Sequence, residues 1–449
     1  MQQTPAGNRP GTALPALLAL PAMLALAGCG EGEAGVPDGA AAVPVRMIDS
    51  PAGPDSGEPN LTVGPDGTYL SWLERTARDR HALRFARWDG AAWSEPVTVM
   101  DRTGLFVNWA DFPSMLVLDD GTLAAHWLEK SGPGAYSYDV RIAVSTDRGR
   151  SWSDDVVPHR DGVQAEHGFV SMFPVDGRIG AVWLDGRATV DGKPMTLRFG
   201  TVGRDAEPGA ERLIDDSVCD CCQTSVALAA GGPVVAYRDR TADEVRDIRV
   251  ARRVDGEWRP GVLVHEDGWK IPACPVNGPA IDAEGDRVAV AWFTGATDAE
   301  AAPSREDLRR MGENGRVLAA FSEDGGASFG PPVRVDENVA MGRVGLVLTP
   351  EGDAVVSWVE RVDGAAEVRI RRVAPGAAGP ITTVAGTAAA RASGFPRIAL
   401  RGEELMIAWT EAGEPPHVRT ATARVTAAGP ETVAGDVPAG AGPGAGDRR

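Results

Sequence analysis

The sequence is poor in cysteine, in tyrosine and in long apolar runs. It contains five cysteines and four tyrosines in 449 residues, and its net charge at pH 7 is −18. This excess of acid argues against a nucleic-acid-binding protein, because contacts with phosphates require clustered lysine and arginine side chains. The apolar run at residues 13–27 is too short and too interrupted by proline to predict a membrane span, and no other stretch is apolar enough. Apolar residues nevertheless make up 43% of the chain, so a sizeable core is expected.

The apolar run at residues 13–27 lies in a segment with the composition of a targeting signal. Residues 1–28 contain one arginine and no acid, and residues 26–29 read Leu-Ala-Gly-Cys. This ending resembles the lipobox of bacterial lipoproteins. The resemblance implies that residues 1–28 are a signal peptide, that the Cys29 thiol is lipidated, and that the protein is anchored to the cell envelope outside the cytoplasm. The alternative is an ordinary secretory signal that ends near a cysteine by chance.

Two further segments have the composition of linkers. Residues 29–43 are rich in glycine, alanine and proline, which favours a flexible tether. Residues 435–449 resemble them and are expected to form a disordered tail. The remaining residues, 44–434, are therefore assigned to one domain.

This central region repeats one phrase seven times. Each copy reads as a short apolar strand, a turn that contains glycine, and a second strand that ends in an aromatic residue and usually an acid. The seven aromatic residues are Trp72, Trp127, Trp183, Tyr237, Trp292, Trp358 and Trp409. Their spacing of 51 to 66 residues is typical of a repeat architecture.

A second alternating hairpin follows each copy, so each repeat predicts four antiparallel strands. Seven such sheets arranged radially predict an all-β fold, a seven-bladed β-propeller. Residues 44–49 also read as a fourth strand, and we expect them to pair with the last blade and close the ring. The repeated aromatic side chains are expected to pack between blades, because a single small sheet cannot bury both of its faces. A short helix is predicted over Ser304–Met311.

Two turns carry a more specific pattern, Ser-x-Asp-x-Gly-x-x-Trp/Phe. They are residues 145–152 and residues 322–329. The pattern is similar to the Asp-box (BNR) repeat of sialidase-like propellers. This resemblance implies a structural role for the box, on the face opposite the active site, and a protein that acts on glycans. Sialidases have six blades, so a six-bladed ring is the alternative.

The resemblance also implies a set of site residues: three arginines for the substrate carboxylate, an aspartate acid and a tyrosine–glutamate pair. Asp111 is the best-placed acid, and Tyr136 and Tyr138 are the available tyrosines on the predicted face. Phe395-Pro-Arg-Ile398 is similar to the family's Phe/Tyr-Arg-Ile-Pro element, in altered order. An arginine fork suits a carboxylate because it makes two parallel bonds. The predicted substrate-binding residues are Arg187, Arg240, Arg343, Arg391, Arg397, Trp109 and Trp269, the last as a stacking platform or as a lid over the cysteines.

The four cysteines after Cys29 fall in two consecutive strand connections and should be neighbours in space. They are Cys219, Cys221, Cys222 and Cys274. Two disulfides are one interpretation, since the protein is expected to be exported. A copper or zinc site that also uses His167 is the second, and a redox-active thiol is the third.

Three functions follow from these features. The first is a sialidase-like glycoside hydrolase, which requires no cofactor. The second is a non-catalytic propeller that binds a glycan or a protein, and the third is a metal-binding or redox protein built on the cysteines. The expected partners are a glycan or glycoprotein and, through the lipid, a membrane. Nucleic acid is not expected as a partner, and the protein is expected to be a monomer.

Overall fold

A computed structural model describes residues 43–296 and 314–425. These residues form seven antiparallel sheets, which confirms the predicted all-β, seven-bladed β-propeller in place of the six-bladed alternative. The signal peptide, Cys29, the tether up to residue 42, the helix at 304–311 and the tail were predicted for parts of the chain that lie outside the described residues. Within the described ranges, no helix has the length and apolar character needed to cross a membrane.

Six blades consist of consecutive strands, and the seventh also uses the first strand of the described chain. Blade 1 contains β2 (Ser56–Gly64), β3 (Gly67–Ala77), β4 (Arg80–Trp88) and β5 (Val97–Thr103). Blade 2 contains β6 (Ser114–Val117), β7 (Leu123–Lys130) and β8 (Tyr138–Ser145). Blade 3 contains β9 (His167–Val175), β10 (Arg178–Asp185), β11 (Met195–Val202) and β12 (Arg212–Val218).

Blade 4 contains β13 (Ser225–Ala229), β14 (Gly232–Arg238), β15 (Ile248–Val254), β16 (Glu257–Trp258) and β17 (Val262–Leu263). Blade 5 contains β18 (Ala280–Glu284), β19 (Arg287–Thr294), β20 (Arg316–Ser322) and β21 (Val333–Arg334). Blade 6 contains β22 (Val339–Leu348), β23 (Ala354–Val362), β24 (Ala365–Ala374) and β25 (Ala377–Thr387). Blade 7 contains β26 (Arg397–Arg401), β27 (Glu404–Glu411), β28 (His417–Arg424) and β1 (Val45–Ile48).

The ring closes as the sequence predicted. Strand β1 pairs antiparallel with β28, from Val45 opposite Ala423 to Ile48 opposite Thr420. The two ends of the propeller thus share one sheet. Blade 2 departs from the four-stranded pattern, because its outer edge is reduced to a single bridge between Ile142 and Val156. Pro158 follows two residues later, and its missing N–H limits how far such an edge can pair.

Seven clusters of buried apolar side chains join the blades, one between each neighbouring pair. In every cluster the repeated aromatic residue packs against the preceding blade. Trp183 of blade 3 shares its cluster with Val140 and Ile142 of blade 2, and Trp72 of blade 1 shares its cluster with Ala408 and Val418 of blade 7. All seven aromatic side chains are at most 2% exposed. Their predicted role as wedges between blades is therefore confirmed.

The two Ser-x-Asp-x-Gly turns are held by hydrogen bonds among their own residues. Ser322 Oγ accepts the N–H of Gly326 at 2.9 Å and donates to Asp324 at 2.7 Å. Asp324 in turn accepts the Ser328 hydroxyl at 2.6 Å. Gly326 has a φ of 79°, in the left-handed region that favours glycine. The turn at residues 145–151 repeats the same bonds.

Candidate functional site

The innermost strands of the seven blades line a central channel. The innermost strand of each blade contributes one residue to a ring around this channel. In each blade this residue pairs with the equivalent position of the second strand, as Ser171 does with Val182 and Arg397 with Ala408. The ring consists of Asn60, Ser114, Ser171, Ser225, Ala280, Gly345 and Arg397. The channel encloses a cavity of about 210 Å³. Arg397 is the one charged side chain in a ring of small and polar residues.

Three of the innermost strands bulge two residues before the ring. The residues at the bulges are Glu58, Phe169 and Arg343, with φ values of 50°, 53° and 57°. The strand register shifts at each of these places. Bulges with a left-handed residue re-aim side chains and are common at functional sites. The three bulges lie together at one end of the channel, which we call the mouth.

A loop from blade 2 crosses the mouth. This crossing loop, residues 107–113, touches four other blades. The ring of Trp109 lies 5.8 Å from that of Phe395 in the connection that leads into blade 7. The carbonyl oxygen of Ala110 accepts a hydrogen bond from Gln223 Nε2, at the start of blade 4. The other end of the Gln223 amide accepts the N–H of Gly278, so this side chain ties the crossing loop to the segment before blade 5.

Asp111, in the crossing loop, belongs to a buried cluster that we call the acid trio: Asp111, Tyr138 and Glu166. The Tyr138 hydroxyl lies 2.7 Å from Asp111 Oδ2 and 2.9 Å from Glu166 Oε1. Asp111 Oδ1 also accepts the N–H of Phe169 at 2.7 Å. The neighbouring Gly168 has no Cβ, and an added Cβ would overlap Asp111 Oδ2. The absence of a side chain at Gly168 therefore makes this close approach possible.

The geometry of the acid trio requires an extra proton. A phenol has one O–H and can donate to one carboxylate at a time. The second short contact is a hydrogen bond only if the other carboxyl is protonated and donates to the Tyr138 oxygen. Burial raises the pKa of Asp111 to about 7, although bonds from Tyr138 and Phe169 oppose the rise. Burial likewise raises the pKa of Glu166 to about 7. Near neutral pH the trio can thus hold one acid and one carboxylate.

Two guanidinium groups, one buried and one half-buried, lie against the crossing loop at the mouth. Arg343, 5% exposed, donates to the carbonyl oxygens of Gly394 and Ala390, both at 3.1 Å. Arg397 lies 4.7 Å from the ring centre of Phe112. Neither forms an ion pair with a carboxylate among the described residues. Burial lowers the pKa of each to about 10, so both stay charged near neutral pH.

The other predicted arginines divide into two groups. Arg391 is exposed and lies 5.9 Å from the ring centre of Trp109, which puts it near Arg343 at the mouth. Arg187 is instead held by Asp185 at 2.6 Å and by Glu211 at 2.8 Å. Arg240 is held in the same way, by Asp220 at 2.9 Å and by Glu244 at 2.7 Å. Arg187 and Arg240 are thus already neutralised by acids of the protein.

The two predicted tryptophan contacts, Trp109 and Trp269, lie in different parts of the structure. Trp109 is half-buried in the crossing loop, under Arg343 at 5.1 Å. Trp269 is only 3% exposed, and Arg238 lies 4.9 Å from its ring centre. The prediction of Trp269 as an exposed platform for a sugar is therefore wrong, because the ring packs in the core between blades 5 and 6. Tyr136 is 61% exposed and lies outside the acid trio, which uses Tyr138 alone.

The acids that follow the repeated aromatic residues serve the fold. Several of them accept the indole N–H of their own blade and face an arginine of the next strand. The pairs are Trp72 with Glu74 at 3.2 Å, Trp183 with Asp185 at 2.8 Å and Trp358 with Glu360 at 3.2 Å. These carboxylates fix the wedge residues and are not free for a ligand.

His167 and His159 form a pair of stacked imidazole rings, which we call the histidine pair, and His167 contacts the backbone of Tyr138. Its Nδ1 lies 3.3 Å from the Tyr138 carbonyl oxygen and its Nε2 lies 2.9 Å from Asp161. Both partners are acceptors, so a protonated imidazole satisfies both of them. Burial opposes this charge, but the bond to Asp161 and the charges of Asp185 and Asp139 outweigh it and raise the pKa of His167.

This histidine pair does not fit a metal ion. Asp139, His159 and His167 bring ligand atoms within 4.8 Å of one another. However, the two imidazole rings are stacked, with centres 3.8 Å apart and planes 8° from parallel. The lone pairs of stacked rings point in parallel directions and do not converge on one ion. Burial and the charge of His167 instead lower the pKa of His159 to about 3, so the pair carries a single charge.

The cysteines are neighbours, as predicted, but not as a four-thiolate site. Cys221 is bonded to Cys274, while Cys219 and Cys222 are buried free thiols. The two thiol sulfur atoms are 3.0 Å apart. Two thiolates on one zinc ion would be roughly 3.8 Å apart, given a Zn–S distance of about 2.3 Å. His167 lies in the separate histidine pair described above, so the predicted zinc or copper set is not assembled.

Glu166 and Gln223 are the site residues that sequence reasoning missed. Glu166 lies immediately before blade 3. The signal that could have found it is the adjacency of blades 2 and 3, which brings the segments before Ser114 and Ser171 together. Gln223 gave no such signal, because its role depends on the path of the crossing loop.

No protein-family model matches the sequence, and no curated protein matches it. Solved structures do share its fold. The chain aligns with an ulvan lyase of polysaccharide lyase family PL25 at a TM-score of 0.52 and 12% identity, over 84% of this chain and 95% of that one. The polysaccharide lyase Uly1 aligns at 0.47 and 10%, over 82% and 89%, and the endosialidase of phage phi92 at 0.44 and 10%, over 89% and 71%. At such identities the likeness shows the propeller fold, and the function has to be argued from the site.

Proposed function

We propose that the protein acts on an anionic glycan at the channel mouth, as a glycoside hydrolase. One observation carries the proposal: a tyrosine hydroxyl shared by two carboxyl groups lies at the same mouth as two guanidinium groups that have no carboxylate partner among the described residues. The first cluster supplies an acid and a nucleophile, and the second supplies a site for a negative charge. A cavity of about 210 Å³ has room for about one sugar residue.

In this proposal the acid trio carries the reaction. The Tyr138 hydroxyl lies 2.7 Å from an oxygen of Asp111 and 2.9 Å from an oxygen of Glu166, within reach of proton transfer to either. The Tyr138 oxygen attacks the anomeric carbon and passes its proton to Glu166, while Asp111 protonates the departing oxygen. Water then attacks the anomeric carbon, Asp111 takes its proton, and Glu166 returns a proton to the Tyr138 oxygen as the bond to the sugar breaks.

Arg397 and Arg343 bind the carboxylate of the sugar in this proposal. A buried cation without a counter-charge is unfavourable, and an anionic ligand removes that penalty. Arg391 lies at the same mouth and adds a third, exposed cation. Because Asp111 and Trp109 both lie in the crossing loop, substrate access requires this loop to shift.

Hydrolysis of a fluorogenic sialoside and of its methyl ester tests the proposal. We expect wild-type protein to cleave the free acid, and Asp111→Asn to lose at least a hundredfold in kcat. Arg397→Ala should raise KM for the acid about tenfold or more and leave the methyl ester unchanged. Arg401→Ala, at the other end of the same strand, is the matched control. Wild-type rates that equal those of Asp111→Asn on sialosides and on uronate glycosides alike would overturn the hydrolase proposal.

A non-catalytic glycan-binding propeller is the second candidate. It is favoured by the burial of Tyr138, which is 0% exposed and whose ring stacks on Phe106 at 3.9 Å. Binding at the guanidinium groups does not need the phenol to be reached. Titration calorimetry with acidic oligosaccharides separates the two candidates: binding that Arg397→Ala abolishes, without turnover by wild type, supports this second one.

We also infer that the protein is exported and carries a lipid on Cys29. The targeting signal at residues 1–28 and the disulfide between Cys221 and Cys274 support this, because disulfides persist mainly outside the cytoplasm. Mass spectrometry of the protein from its native membrane fraction should find a diacylglyceryl group on Cys29. A Cys29→Ala protein that fractionates with the membrane as wild type does would contradict the inference.

A further inference from the structure

The free thiols of Cys219 and Cys222 lie next to a disulfide, in the connections before blades 4 and 5. Cys219 Sγ is 3.0 Å from Cys222 Sγ and 4.0 Å from Cys221 Sγ. Cys221 is itself bonded to Cys274. Disulfides exchange when a thiolate attacks one of their sulfur atoms. A candidate nucleophile, Cys219, therefore lies within 4.0 Å of both a disulfide sulfur atom and a second thiol.

The surroundings of Cys219 favour its thiolate. Arg246 Nη1 lies 3.4 Å from Cys219 Sγ. Arg238, which is 1% exposed, donates only to backbone carbonyl oxygens and makes no ion pair among the described residues. A buried cation of this kind stabilises a nearby anion. Burial alone would raise the pKa of Cys219, but the bond from Cys222 and the charges of Arg246 and Arg238 outweigh it and lower the pKa to about 6.

The four sulfur atoms differ in their access to solvent. Cys219 and Cys222 are 1% and 2% exposed, whereas Cys221 is half-buried and Cys274 is exposed. The disulfide therefore joins a residue near the buried thiols to one that solvent reaches. We call Cys221–Cys274 the outer pair and Cys219–Cys222 the inner pair.

We propose that these four residues form a thiol–disulfide exchange centre, in which a single disulfide moves between the outer pair and the inner pair. In the first step the Cys219 thiolate attacks Cys221 Sγ, a Cys219–Cys221 bond forms and Cys274 leaves as a thiolate. In the second step the Cys222 sulfur attacks Cys219 Sγ, Cys221 leaves as a thiolate, and the proton of Cys222 passes to Cys221. One disulfide is broken and one is made, so no external oxidant is consumed.

The exchange changes what the protein presents to its surroundings. With the disulfide on the inner pair, Cys274 becomes an exposed thiol that can react with an external disulfide or electrophile. Cys222 also precedes Gln223, whose amide ties the crossing loop to the segment before blade 5. This centre goes beyond the proposed hydrolase activity and does not depend on it.

Alkylation of the native protein tests the exchange. Trypsin cuts after Lys270 and Arg287 and after Arg212 and Arg238, so Cys274 and the other three cysteines fall in separate peptides. We expect rapid acid quenching to yield these two peptides joined by a disulfide. During incubation with iodoacetamide at pH 8, Cys274 should become labelled and unlinked. The other peptide should then carry one label, on Cys221, and an internal Cys219–Cys222 bond.

Two variants locate the steps. Cys219→Ser should slow the release of Cys274 at least tenfold, because the attacking thiolate is gone. Cys222→Ser should allow only the first step, with Cys274 labelled and Cys219 bonded to Cys221. The wild-type protein alone decides the proposal if either variant misfolds. Two complete disulfides in the starting material, or a Cys221–Cys274 link that survives until Cys219 and Cys222 are alkylated, would overturn it.

Discussion

Replacing Asp111 with asparagine should flatten the pH dependence of stability between pH 5 and pH 8. Asparagine has the same shape, and its oxygen can still accept the N–H of Phe169. Its amide nitrogen then donates to Tyr138, whose O–H turns to Glu166. The variant keeps the contacts of the acid trio and loses the titrating group.

The magnitude follows from the shifted pKa. Burial raises the pKa of Asp111 from 3.8 to about 7. Between pH 5 and pH 8 the unfolded chain has this carboxyl ionised, whereas the folded chain holds the proton at pH 5 and releases it by pH 8. The folded state binds more protons, so the free energy of unfolding falls as the pH rises. At about 1.4 kcal/mol per pKa unit, the fall across this window is about 2–3 kcal/mol.

Urea denaturation at pH 5 and pH 8 measures this fall. Wild-type protein should lose about 2–3 kcal/mol more across the window than Asp111→Asn does. Asp119→Asn, at an exposed position near the end of β6, should behave as wild type. If Asp111→Asn loses as much stability as wild type between the two pH values, the trio does not hold its proton on Asp111 and the reasoning is refuted.

Three further predictions concern the fold around the site. Trp183→Ala should destabilise the protein by about 3–5 kcal/mol in urea denaturation, because it empties the cluster between blades 2 and 3; a loss below 1 kcal/mol would contradict the wedge role. Ser322→Ala should lower stability by about 1–2 kcal/mol and leave activity on any substrate unchanged, because its hydroxyl holds only the turn at Asp324. His167→Gln should be most destabilising at low pH, since the raised pKa of His167 gives stability that is lost as the pH rises through that value. If His167→Gln shifts the denaturation curve equally at pH 5 and pH 9, the folded protein does not stabilise a charged His167.

The sequence predicts the seven-bladed propeller because the aromatic positions repeat along the chain. Each wedge aromatic repeats a position in a strand that is buried on both faces, so burial imposes the same residue type seven times. The closing strand before Asp49 is predicted for the same reason, since its alternation matches a missing outer strand. The prediction of an exposed platform at Trp269 was wrong because a single aromatic residue in a loop has no periodic pattern that would indicate burial. Only packing decides whether such a ring lies on the surface or, as here, in the core.

The acid trio shows where sequence reasoning stops. Tyr138 and Asp111 were singled out by residue type, and Glu166 was not singled out. Their meeting depends on distances of less than 3 Å. Those distances depend on the crossing loop and on the empty Cβ position of Gly168, neither of which has a repeat signature. A resemblance to a family can nominate a tyrosine, but it cannot show that two carboxyl groups share it.

The mouth concentrates features that are unfavourable for folding, and this concentration is itself an argument for function. Left-handed φ at Glu58, Phe169 and Arg343 costs on the order of 1 kcal/mol or more at each position. The guanidinium of Arg397 forms no ion pair among the described residues, and two carboxyl groups share one phenol. Blades 2 and 4 show the unstrained alternative, with Ser114 and Ser225 at the ring position and no bulge in the innermost strand. Stability does not explain why the remaining blades depart from that pattern at one end of one channel, whereas a site that holds charge and protons ready for a ligand does.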